Sequence, residues 1–226
     1  YKAMKISIII PVYNEAKTVE EVVKRVEAVN IDKEIIAVDD GSTDGSLDVL
    51  TGIANEGRIK LIKHNKNSGK GAAIKTGLKA ANGDIVIIQD ADLETDPQDY
   101  YNLTKPIISG ETKAVFGYRT IKKPTSVYWW GGKLVSFFTF FLYGGNVKDV
   151  NNGYKVMTRE LWLDLNLQSD RFQICEEITA KLLKRKEKII QVPTKYFPRT
   201  KKQGKKLGFK DGVVSIWTLL KFRFLS

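Results

Sequence analysis

Asp90 and Asp92 stand one residue apart in the stretch Asp90-Ala91-Asp92-Leu93-Glu94, directly after an apolar run at residues 84–89. Two carboxylates this close repel each other unless water or a cation lies between them. Magnesium and manganese ions accept carboxylate oxygens and fill the rest of their shells with phosphate oxygens. The pair therefore suits a divalent cation shared with a bound diphosphate, with Glu94 as a further ligand. Such a cation neutralises a departing diphosphate, so the bond to it breaks without a general acid. An isolated Asp-x-Asp is more often a solvated turn, here with Asp92 or Asp96 capping a helix that begins at Pro97. Its place at a strand end, with similar loops at other strand ends, favours the ligand site.

Three further segments carry suitable chemistry. Asp39-Asp40-Gly41-Ser42-Thr43-Asp44-Gly45 follows a second apolar run; its carboxylates could accept hydrogen bonds from a nucleobase or ribose, while Thr43 or Asp44 caps the next helix. Gly69-Lys70-Gly71 resembles a fragment of a phosphate-binding loop, but Ala72 stands where the hydroxyl of a P-loop should be, which disfavours an ATPase. A lysine at a helix N-terminus still suits a diphosphate. Residues 199–206 hold five cations, which fits either a solvated loop or one that closes over phosphates. His64 receives no role, and Cys175 reads as a buried apolar residue.

The elements that must position these residues alternate. Residues 5–12, 34–38, 59–62 and 84–89 read as strands, and 18–29, 46–54 and 69–81 as helices. Strands separated by helices imply βαβ units and a mostly parallel sheet flanked by helices, with ligands outside the carboxyl ends of the strands. The second half is less regular. Strands are expected at 113–118, 152–157 and 189–192, an aromatic-rich helix at 127–143, another helix at 176–184, and a basic amphipathic segment at 213–225. With no repeat or linker in sight, residues 1–226 form one domain with a helical, basic C-terminal elaboration.

Composition narrows the partners. The 37 basic and 26 acidic residues leave a net charge of +11, which favours anionic ligands or surfaces. No nucleic-acid motif accompanies that charge, so nucleic acid is not expected. With a single histidine and a single cysteine, zinc sites built on histidine, a conventional catalytic triad and an internal disulfide are all disfavoured. The apolar stretch at 134–143 is about half the length that spans a bilayer.

Together these motifs resemble family 2 glycosyltransferases with a GT-A fold, particularly the polyprenyl-phosphate group that includes dolichol-phosphate mannose and glucose synthases. The matching pieces are Ile10-Pro11-Val12-Tyr13-Asn14-Glu15, the loop from Val38 to Asp44, Asn67-Ser68-Gly69-Lys70-Gly71 and Asp90-Ala91-Asp92-Leu93-Glu94. They continue with Phe116-Gly117-Tyr118-Arg119, Asn152-Gly153-Tyr154-Lys155 and residues 196–206. The resemblance covers nearly the whole chain in order.

It implies a nucleotide-sugar-binding half at 1–120, where Pro11, Tyr13, Glu15, Asp39, Asp40 and Lys70 meet a UDP- or GDP-hexose with Asp90, Ala91 and Asp92. It implies Mg²⁺ or Mn²⁺ on Asp90, Asp92 and Glu94. An acceptor half at 121–226 would add Lys133, Lys155, Arg199 and Lys205, with Arg119, as contacts for phosphates. Asp90, Asp92 and Arg119 would then carry catalysis. The implied reaction inverts the anomeric carbon and transfers a hexose to a polyprenyl phosphate, by an enzyme peripherally associated with the cytoplasmic face of a membrane. A hydroxyl acceptor would instead require a carboxylate base, for which Glu176 or Glu177 is the candidate. The resemblance has two departures: Tyr118 replaces a common serine, and Cys175 stands where relatives often carry an acid.

Overall fold

The computed structural model describes residues 4–120, 127–199 and 209–225, apart from the side chains at 127–130 and 209–211. The first three strands are β1 (Ile6–Val12), β2 (Lys33–Asp39) and β3 (Lys60–Lys63), and β4 is Ile85–Ile88. Between them run α1 (Val19–Glu27), α2 (Ser46–Asn55) and α3 (Lys70–Ala80). α4 (Tyr100–Ile108) leads to β5 (Ala114–Arg119), then α5 (Val127–Tyr143), β6 (Lys155–Thr158), α6 (Arg159–Asp164), α7 (Ile174–Lys184), β7 (Ile189–Thr194) and α8 (Phe209–Phe224).

These strands form one seven-stranded sheet in the order β3-β2-β1-β4-β6-β5-β7. All neighbours are parallel except β6, which runs antiparallel to both β4 and β5. The expected mostly parallel α/β sheet is therefore present, and it runs through both halves of the chain. The reversal of β6 matters for the site: Ile87 pairs with Val156, so the turn that precedes β6 lies beside the carboxyl end of β4.

The strands are apolar throughout because helices cover both faces. Ile9, Ile36, Val38, Val86, Ile88 and Phe116 pack with α3, α5, α7 and α8, while Ile8, Ile10, Ile35, Ile87 and Val115 pack with α1 and α4. The alternating assignment follows from the two-residue repeat of a strand. Asp96 caps the turn at Pro97–Asp99 by accepting a hydrogen bond from the Gln98 amide. α6 is absent from the sequence expectation; at six residues it is too short for a recognisable helical repeat, and Thr158 caps it at the end of β6. No helix among the described residues is long and apolar enough to cross a membrane.

Candidate active site

The polar segments at 11–15, 39–45, 67–71 and 90–94 lie along the carboxyl edge of the parallel strands, joined there by the turn before β6. Gln89 fixes the end of β4. Its amide oxygen accepts from Tyr100 Oη (2.7 Å) and Tyr154 Oη (3.0 Å), and its nitrogen donates to Thr95 Oγ1 and the Asp90 carbonyl, each at 2.9 Å. Thr18 Oγ1 donates to the Ala91 carbonyl at 2.7 Å, tying this turn to the start of α1. The turn that presents Asp90 and Asp92 is thus held from both sides.

Asp90 pairs with Lys70, the first residue of α3. Its other oxygen lies directly against Gly153, where even a Cβ would collide with the carboxylate. Gly69 (φ +104°) and Gly71 let the start of α3 press on the backbone of Ser169 and Asp170, a close approach that only glycine allows. Asp92 accepts from the Glu94 amide at 3.0 Å and from Arg199 Nη2 at 3.2 Å. Burial pushes its carboxyl up to about 6, reinforced by the charges of Asp90 and Glu94, while the Glu94 amide and Arg199 act against the rise.

Arg199 behaves as a shared counter-ion. Its guanidinium reaches Glu15 at 3.0 and 3.3 Å as well as Asp92, and Nε, 3.9 Å from Glu94, has no hydrogen-bond partner. Glu94 is occupied otherwise: it accepts from Tyr196 Oη and from the Arg199 amide, both at 2.8 Å. Together with the bridge between Thr95 and Tyr196, these bonds pin residues 194–199 onto the acidic turn. In this arrangement Glu94 anchors that segment, in contrast to the metal-ligand role expected of it. Among the described residues no cluster of three His, Cys, Asp or Glu side chains is set to hold a metal. Asp90 and Asp92, the pair read from sequence as cation ligands, lie together at this edge. Two carboxylates, one with its pKa raised by burial and then by its acidic neighbours, and both paired with cationic side chains, would fit an ion that takes its remaining ligands from phosphate and water.

The two aspartates after β2 have different roles. Asp40 is saturated, accepting from the Ser68 amide (2.9 Å), the Gly69 amide (2.7 Å) and His64 Nδ1 (2.7 Å), so it builds the turn before α3 and does not offer itself to a nucleoside. His64, given no role from sequence, completes that link through Nε2 to Thr76 Oγ1 at 2.9 Å. Asp39 is buried with Oδ1 unpartnered and Oδ2 accepting from the Ser42 amide. Asn14 and Glu15 are tied to the same loop through Ser42 and Ser46, which places Pro11, Tyr13 and Glu15 alongside it.

Arg119, at the end of β5, is clamped by Asp149 through Nε and Nη2, each at 2.7 Å, and its guanidinium stacks on the Tyr196 ring at 5.1 Å. Lys133 sits nearby in α5, exposed. Lys155 departs from expectation: it is 1% exposed, donates to the Asn152 carbonyl at 2.5 Å and lies 4.4 Å from the Phe116 ring centre. It props the turn before β6 from beneath and cannot meet a phosphate at the surface. Lys205 lies outside the described residues. Glu177 caps a loop, accepting from the Gln168 and Ser169 amides at 2.7 and 2.6 Å and pairing with Lys181. Glu176 is buried, accepts from Asn151 Nδ2 (2.6 Å) and Ser215 Oγ (2.5 Å), and leaves Oε2 unpartnered. Burial raises its pKa, while hydrogen bonds from Ser215 and Asn151 hold it back.

Sequence reasoning missed Asp149, Gln89 and Tyr196. Asp149 is a lone acid in an irregular loop and Gln89 is hidden in an apolar run, so neither carries a local signal. Tyr196 was within reach, since it stands three residues before Arg199 in a segment already singled out.

A carboxylate turn at a strand end, with polar loops and cationic side chains on the same edge, is the arrangement expected of a GT-A-type transferase. The profile of the family described as glycosyl transferase family 2 matches residues 7–163. The chain belongs to that family and is, by that membership, a glycosyltransferase. It is 33% identical over 214 residues to the UDP-N-acetylglucosamine–dolichyl-phosphate N-acetylglucosaminyltransferase of Methanococcus voltae, covering 84% of each chain. It is 29% identical over 223 residues to the dolichol-phosphate mannosyltransferase of Pyrococcus furiosus, covering 91% of this chain and 60% of that relative's length. In fold it is similar to glucosyl-3-phosphoglycerate synthase from Mycobacterium tuberculosis, solved with Mn²⁺, UDP and phosphoglyceric acid, with a TM-score of 0.77 and 22% identity over 99% of this chain and 80% of that one.

Proposed function

We propose that this chain transfers a hexose from a UDP- or GDP-sugar to a polyprenyl phosphate, with inversion at the anomeric carbon, at the cytoplasmic face of a membrane. The observation that carries the proposal is the crowded pair Asp90 and Asp92 at the end of β4, bracketed by the cations of Lys70 and Arg199. The two relatives named for dolichyl-phosphate acceptors support the acceptor class.

Pro11, Tyr13, Glu15 and Asp39 would receive the nucleoside, with the unpartnered Asp39 Oδ1 as an acceptor for a base or ribose donor. Asp90 and Asp92 would hold Mg²⁺ or Mn²⁺, whose contribution when bound is to neutralise the diphosphate leaving group. Lys70, at the N-terminus of α3, adds a fixed positive charge on the same side. Arg199 would turn from Glu15 and Asp92 to phosphate oxygens once those carboxylates have another partner. Arg119 and Lys133 would receive the acceptor phosphate, with Asp149 and Tyr196 fixing the Arg119 fork. An oxygen of that phosphate attacks the anomeric carbon as the bond from that carbon to the diphosphate breaks. The attacking oxygen arrives ionised, so no proton needs to be removed.

This last point separates the proposal from transfer to a sugar or protein hydroxyl, which requires a base. Neither Glu176 nor Glu177 opens onto the strand edge, and the hydroxyl reading loses its candidates. The test is a thermal-shift screen of UDP- and GDP-sugars with Mn²⁺, followed by product analysis with polyprenyl phosphate and with saccharide acceptors. A lipid-linked product supports the proposal; transfer only to hydroxyl acceptors overturns it.

A further inference from the structure

α5 and α8 lie side by side on one face of the sheet: Val135, Leu219 and Phe222 share a core, and Tyr143 Oη donates to the Leu219 carbonyl at 2.7 Å. Their outward faces are strongly apolar. On α5, Leu134, Phe137 and Phe141 follow a helical repeat and are 50%, 62% and 76% exposed. On α8, Val213, Trp217 and Phe224 fall in one stripe and are 58%, 61% and 71% exposed. Isolated exposed apolar residues need no explanation, but two adjacent helices that both turn aromatic rings to solvent do.

The borders of these stripes are mainly cationic; the acid beside Trp217 is Asp170, which shares a groove with Arg171 and Lys221 and pairs with Lys75. By the 3.6-residue repeat, Lys221 and Arg223 flank the α8 stripe on opposite sides and Lys133 flanks that of α5. The α5 sequence contains no acid, and that of α8 contains only Asp211. The first turns of α5 also approach the site, since a Cβ placed on Gly132 would stand 3.9 Å from Arg119 Nη2.

We infer that the α5/α8 face is a docking surface for an anionic lipid bilayer, and that it sets the chain on the membrane with Arg119 facing the headgroup layer. Aromatic rings enter the headgroup–acyl boundary, and the flanking cations meet anionic headgroups. This rests on the proposed lipid acceptor only for its purpose; the surface itself is read from exposure and charge. A second copy of this chain is the competing occupant, but it would gather the cations of Lys133, Lys221 and Arg223 from both copies into one interface, with Asp170 the acid beside them.

The experiment is flotation of the whole chain with phosphatidylcholine vesicles, with and without phosphatidylglycerol, in the absence of polyprenyl phosphate and donor. The wild type should float with the anionic vesicles and shift its tryptophan emission to the blue, and Trp217→Phe should lose most of that shift. Phe137→Glu with Phe141→Glu should lower the bound fraction roughly tenfold or more. The paired variant should keep the thermal shift produced by donor sugar and Mn²⁺, which shows that it folds and that donor binding stands apart from docking. Failure of the wild type to float, or unchanged flotation of the paired variant, overturns the inference. So does a concentration-dependent dimer in light scattering that the paired substitution abolishes. Flotation without any donor response in the wild type would leave the docking surface standing and sink the transferase proposal instead.

Discussion

Two arginine–carboxylate pairings stand a short distance apart on the same strand edge, and they are built differently. Arg119 meets one acid, Asp149, through two bonds of 2.7 Å and is steadied by the Tyr196 ring. Arg199 spreads over Glu15 and Asp92 at 3.0 to 3.3 Å, with Nε unpartnered. Bidentate pairing on a single acid gives a fixed orientation, whereas a guanidinium divided among several acids is held by net charge and can be exchanged for another cation. The first arrangement suits a receptor for an incoming phosphate. The second suits a placeholder that leaves when a metal and diphosphate arrive.

The comparison can be broken at its strongest point by Asp92→Asn, which removes one of the two acids proposed for the cation. Metal-dependent donor turnover should fall by roughly two orders of magnitude or more, with the circular dichroism spectrum unchanged. Wild-type turnover would reject the metal role of this turn. A smaller but still large effect is expected from Asp149→Ala, which strands the Arg119 fork. Stability should drop by about 2 kcal/mol, less than for a fully buried pair because the Arg119 side chain keeps 23% exposure. Acceptor KM should rise while donor affinity holds; a change confined to the donor side would place Arg119 elsewhere in the reaction.

Arg199→Gln sharpens the contrast, because it should move two quantities in opposite directions. Without donor, Mn²⁺ should bind several-fold more tightly as its competitor is gone. Turnover should fall, since the same side chain is proposed to meet phosphates. Isothermal titration with Mn²⁺ reads the first effect, and weaker Mn²⁺ binding would end the placeholder account.

The smallest expected effect is on stability against pH. Burial holds the Glu176 carboxyl above its ordinary range, so the folded chain binds that proton more tightly than the unfolded chain. Its contribution is complete below the unfolded carboxylate pKa, near 4.3, and is lost as pH rises through the higher folded value. Wild type should therefore lose stability relative to Glu176→Gln as pH rises over that window. Parallel pH profiles of the two chains in urea unfolding would remove this account.

The parts of the fold legible in the sequence are those set by local pattern. β1, β2 and β4 read as unbroken apolar runs because both of their faces are covered, and α5 was expected at the bounds it has. Strand order and the reversal of β6 depend on pairings such as Ile87 with Val156, which leave no mark on nearby spacing. The site divides the same way. Asp90, Asp92, Glu15 and Arg199 converge because each belongs to a motif that follows a strand. Residue type does not report depth or partner, however. Lys155 looked like a phosphate contact because a lysine ends the motif, yet it lies beneath the turn against Phe116. Asp40 looked like a nucleoside contact, yet the amides of Ser68 and Gly69 have already claimed it.

Ser215 of α8 and Asn151 of the turn before β6 share one oxygen of Glu176. The same turn carries Asp149, which aims Arg119, and Gly153, which backs Asp90. A helix proposed to rest on lipid is thus joined to the reacting edge through a single hidden carboxyl group. Tilting or sliding α8 would tug that junction, so the proposed seating on a bilayer would be felt at the turn that holds Asp149 and Gly153.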